Sequence, residues 1–119
     1  MKKVSVYVED KNRSMTLNIN LGKDFSKEEI LKDKDSFIKL VKESYPNAKT
    51  IELLIPIKSQ INKDRLMRIG QEEASLWGGE CLRVTTYENL VCFECVEHGE
   101  KFETYMTYKE IEEEYKNIQ

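Results

Sequence analysis

The sequence predicts an α+β domain built mainly on antiparallel sheet, with helices packed on one face. Three observations carry that prediction. Apolar residues alternate with polar ones in two early segments, more cleanly in the second, two helix starts are written as capping boxes, and a three-stranded meander near the carboxyl end chooses the same core face through two separate turns. The order read along the chain is β-β-α-β-α-β-β-β-α. No internal repeat or Pro/Gly/Ser-rich linker interrupts residues 1–119, so the reading is one domain.

Val4, Val6 and Val8 alternate with polar neighbours, and Met15, Leu17, Ile19 and Leu21 do so again. A period of two describes half-buried strands, here a hairpin turning through Asp10-Lys11-Asn12-Arg13. Ser26-Lys27-Glu28-Glu29 then opens a helix, with Ser26 as N-cap and Glu29 reaching back to it. Ile30, Phe37, Leu40, Val41 and Tyr45 keep helical spacing, with a break between Lys32 and Asp35, until Pro46-Asn47 stops it. Thr50 to Ile55 is a short apolar run that reads as a buried strand, closed by Pro56. Asn62 caps a second helix that reaches Trp77, with Leu66, Met67, Gly70, Ala74 and Trp77 near one face; Gly78-Gly79 ends it. Thr107-Tyr108-Lys109-Glu110 is another capping box, and it starts a helix with Tyr108, Ile111, Tyr115 and Ile118 along one stripe.

The meander is the most informative segment. His98-Gly99 suits a two-residue hairpin turn, which makes paired residue numbers sum to 197. Cys95–Phe102, Phe93–Thr104 and Val91–Met106 then share one face, while Val96–Lys101, Glu94–Glu103 and Cys92–Tyr105 share the other. A turn at Glu88-Asn89 sets the next register to sums of 177, placing Leu82 against Cys95, Val84 against Phe93 and Cys81 against Val96. The face away from the core carries a row Arg83–Glu94–Glu103. Opposed carboxylates destabilise a sheet by ~0.2–1 kcal/mol, so a row of this kind asks for a reason. Nearer the tip Glu97 opposes Glu100, which gathers four glutamates at one hairpin end. Tyr87, Leu90 and Tyr105 add large side chains to the outward face.

Charge narrows the function classes. Lys plus Arg number 19 and Asp plus Glu 22, for a net charge of −3. Residues 1–58 hold 12 basic and 9 acidic side chains, against 7 and 13 in residues 59–119. A pI near 5.3 disfavours a basic nucleic-acid module, and the lysines of the first helix are interleaved with Asp33, Asp35 and Glu43. No apolar run approaches the roughly 20 residues of a membrane helix, and the amino terminus alternates instead of offering a signal peptide's continuous apolar region. The expectation is a cytoplasmic protein whose three cysteines stay reduced.

Two functional readings follow. In the first, the protein is a non-enzymatic binder of the inhibitor, immunity or adaptor type, as carried by phages and bacterial mobile elements. It would dock on a basic patch of a partner protein through Arg83, Tyr87, Glu94, Glu97, Glu100, Glu103 and Tyr105, with carboxylates for steering and tyrosines and arginine as anchors. It requires no cofactor and no metal. In the second, Cys92-Phe93-Glu94-Cys95-Val96-Glu97-His98 reads C-x-x-C-x-x-H, and Cys92, Cys95, His98 and the nearby glutamates form a zinc site or a small cysteine- or metal-dependent enzyme. Alternation opposes this second reading, since an odd separation sends Cys92 and Cys95 to opposite faces of a strand.

Overall fold

The computed structural model describes residues 1–59 and 61–118. The class is α+β and every strand pairing is antiparallel. Among the described residues, six strands are divided between two three-stranded sheets, and the chain separates into two compact units that meet in sequence at Ile55 and Pro56.

In the amino-terminal unit, β1 (Lys3–Glu9) is the central strand, flanked by β2 (Ser14–Asn20) and β3 (Thr50–Leu53). Its hairpin turn is held by Asp10, whose Oδ1 accepts from the backbone N–H of Asn12 and Arg13 at 2.8 and 2.9 Å. The helical segment is broken as its spacing predicted: α1 (Lys27–Lys32) and α2 (Lys34–Ser44) meet at Asp33. Ser26 and Glu29 form the full capping box, satisfying orphan N–H groups at both positions. Val4, Val6 and Val8 meet Ile30, Val41 and Leu53 in one core, so the helices lie on a single face of this sheet. Leu40 departs from its predicted stripe and is exposed.

In the carboxyl-terminal unit, α3 (Lys63–Ser75) lies over a meander of β4 (Glu80–Thr86), β5 (Leu90–Glu97) and β6 (Glu100–Thr107), which runs directly into α4 (Tyr108–Glu114). Leu66, Ile69 and Ala74 of α3 pack with Val91, Phe93, Cys95, Met106 and Ile111. The closest approach is at Gly70. A Cβ there would stand 2.6 Å from Cys81 Sγ and 2.7 Å from Phe93 Cδ1, so only glycine lets the helix seat this deeply. The helix α4 is shorter than its stripe, yet Tyr115 and Ile118 still pack against the core. Arg65 ties the two helices together, donating from Nε to the Ile118 carbonyl at 2.7 Å and from Nη1 to Glu112 at 3.1 Å.

Both meander turns form where expected. His98 and Gly99 take φ of 50° and 80°, the left-handed pair that a tight hairpin requires. The β5–β6 register runs from Leu90–Thr107 to Glu97–Glu100, every pair as predicted. The β4–β5 register holds from Arg83–Glu94 to Thr86–Val91 and then shifts at a bulge, so that Cys81 opposes Cys95. This corrects the predicted placement of Leu82 against Cys95 and Cys81 against Val96. Leu82 is half exposed, and Cys81 occupies the core position under Gly70. The reason is space, because a slot already 2.6 Å tight to a would-be Cβ admits a thiol and not a leucine side chain.

Candidate protein-docking face

On the meander face away from α3, the three strands present Arg83, Glu94 and Glu103 in register. Arg83 Nε lies 3.5 Å from Glu94 Oε2, and their side chains are 70% and 42% exposed. Glu103 is exposed at its rim, yet its carboxylate is fixed by two donors. The Cys92 thiol and the Tyr105 hydroxyl both donate to Oε2, each at 3.1 Å. Two carboxylates with one guanidinium leave this row with one net negative charge, oriented by its neighbours instead of floating on long side chains.

Tyr87 and Tyr105 are partly buried beside the row. The Tyr87 backbone closes the β4–β5 turn with Leu90 at 2.8 Å, and its carbonyl accepts from the Tyr108 hydroxyl at 3.0 Å. Burial pushes the Tyr87 phenol up to about 12, with the nearby Glu103 and Glu94 carboxylates adding to the effect. The hydroxyl therefore remains a neutral donor at physiological pH. Leu90 does not join an exposed surface as its outward position had implied, since it is 2% exposed.

Alternation divides the four glutamates at the hairpin end. Glu94 and Glu103 belong to the face just described. Glu97 and Glu100, odd-numbered steps away along their strands, share the side of Cys95 and Phe102 and stand beyond the end of α3. There they line a shallow concavity with Trp77, Phe102 and Thr104. Trp77 is 63% exposed and thus not part of the α3 core stripe. Sequence reasoning passed over Trp77 and Phe102 as partners of these glutamates, although parity along β5 and β6 was enough to separate the two pairs.

The cysteine and histidine reading does not assemble. Cys92 donates to Glu103 on one face, Cys95 lies against Cys81 on the other, and His98 is 88% exposed at the turn. Among the described residues, no group of three or more His, Cys, Asp or Glu side chains comes together to hold a metal ion. All three cysteines are free and buried. Burial raises each thiol above its ordinary value, Cys95 to about 11, and Cys92 is raised further by its bond to the Glu103 carboxylate. Protonated thiols are poor nucleophiles and poor metal ligands. No helix among the described residues is long and apolar enough to cross a membrane. Compared with known proteins, the chain matches no family model, no curated protein and no solved structure.

Proposed function

We propose that this is a non-enzymatic binding protein of the inhibitor, immunity or adaptor type, which works by occupying a basic surface of a partner protein. The observation that carries the reading is the in-register row Arg83–Glu94–Glu103, with Glu103 pinned by Cys92 and Tyr105. A sheet stabilised only for its own fold gains nothing from opposed carboxylates. A cationic partner relieves that repulsion when it binds, so the unfavourable pair becomes a source of affinity. Ordered carboxylates also forfeit less side-chain entropy on association than free ones do. Tyr87 and Tyr105 supply amphipathic anchors of the sort enriched in interface centres, and the carboxylates accelerate encounter with a positive patch.

The test is affinity retention from native extract on immobilised protein, with wild type and a Glu94→Lys/Glu103→Lys variant side by side. The reading expects a stoichiometric partner with a basic surface that elutes with rising salt and is not retained by the variant. Equal retention by a folded variant refutes it.

A further inference from the structure

We infer that the concavity between Trp77 and the Glu97–Glu100 pair is a second docking site, one that receives an arginine side chain from a basic segment of a protein partner. It lies on the opposite side of the β5–β6 hairpin from the Arg83–Glu94–Glu103 row and does not depend on that row's function.

The concavity has a volume of about 400 Å³ and is lined by Trp77, Glu97, Glu100, Lys101, Phe102 and Thr104. Its aromatic wall is held in place by backbone. Past the end of α3, the Trp77 N–H donates to the Ala74 carbonyl at 3.0 Å, and Gly78 and Gly79 donate to Ser75 and Ala74 at 3.1 and 2.9 Å. Gly78 takes a φ of +76°, which reverses the chain. Gly79 then runs so close to β5 that a Cβ would lie 2.6 Å from the Val96 carbonyl oxygen. The indole, 63% exposed, therefore projects from a backbone that is already anchored, which lowers the ordering cost of contact.

Charge selects the occupant. Glu97 and Glu100 are directly opposed across the hairpin, a repulsive arrangement that a cation converts to attraction. Lys101 offsets one of the two charges, and His98 approaches Glu97 only to 3.8 Å from a position open to solvent. The local balance is negative beside two aromatic rings. A planar guanidinium satisfies both features, because it stacks on an indole face while its forked N–H groups meet carboxylates. An ammonium uses the charge but not the plane.

Trp77 is the single tryptophan of the chain, so its fluorescence reports this concavity alone. The probe is a capped hexapeptide with two central arginines, compared with the same peptide carrying uncharged citrullines. The arginine peptide should change Trp77 emission saturably. Citrulline substitution, or the Glu97→Gln/Glu100→Gln variant with unchanged circular dichroism, should weaken binding about tenfold or more. A Glu28→Gln/Glu43→Gln variant, altered at exposed positions of the amino-terminal unit, should bind the peptide as wild type does. An unresponsive Trp77, or equal affinity for both peptides, overturns the inference. An equal loss of binding in the Glu28/Glu43 variant also overturns it, because the attraction would then follow overall charge and not this concavity.

Discussion

Gly70→Ala tests how the carboxyl-terminal unit is assembled. On an exposed helix this substitution stabilises by about 1 kcal/mol, because alanine has the better helix propensity. Within α3 the added methyl would meet Cys81 Sγ at 2.6 Å and Phe93 Cδ1 at 2.7 Å. Phe93 is fully buried, so its ring yields only by displacing its core neighbours. Overpacking a core of this kind destabilises by ~1–3 kcal/mol, and two contacts this short place the effect in the upper half of that range. The net expectation is a loss of ~1–2 kcal/mol, opposite in sign to propensity alone. Urea unfolding followed by far-UV circular dichroism reads it as a lower midpoint with an unchanged slope. Adding Cys81→Ala removes one of the two clashes, so the double variant should be about 1 kcal/mol more stable than the sum of the singles. A midpoint that rises in Gly70→Ala would refute the packing of α3 onto β4 and β5.

Two further predictions concern ionisation. In the native protein the three thiols should react slowly with a disulfide reagent near about pH 8 and promptly after denaturation, since burial holds all of them protonated; rapid native labelling of Cys92 would contradict its bond to Glu103. Stability should also fall at alkaline pH. Tyr87 and Tyr115 titrate near 10 when unfolded but are pushed up to about 12 by burial, and Cys95 to about 11 from near 9. The folded state therefore holds more protons between the two values, and its stability is full below pH 9 and lost as pH rises through 11 and 12. Urea midpoints measured across that window check the sign, and a flat profile would contradict the burial of these groups.

Local grammar in the sequence was legible where the physics is local. Ser26 and Thr107 announce their helices because each supplies an oxygen to an otherwise unpaired N–H three residues on. The β5–β6 register followed from His98-Gly99 alone, since a two-residue turn leaves no freedom in pairing. What escaped was non-local. The bulge that exchanges Leu82 for Cys81 is dictated by Gly70, eleven residues upstream of Cys81 and on another element. Division of the strands into two sheets depends on which hairpin meets which helix, and alternation within a strand carries no information about that. Trp77 looked like a core residue because it continued the α3 spacing, but the helix ends at Ser75 and the positive φ of Gly78 turns the chain away. Of the docking face, the row Arg83–Glu94–Glu103 was readable from register, whereas the pinning of Glu103 by the Cys92 thiol requires coordinates.

The most direct measurement of the central claim is the dissociation constant of the retained partner as a function of ionic strength, for wild type and for Glu94→Lys/Glu103→Lys. Docking through the acidic row predicts affinity that weakens steadily with salt, and a variant that binds at least tenfold more weakly at low salt, with the gap narrowing as salt rises. An affinity indifferent to salt and unchanged by the two reversals would contradict it.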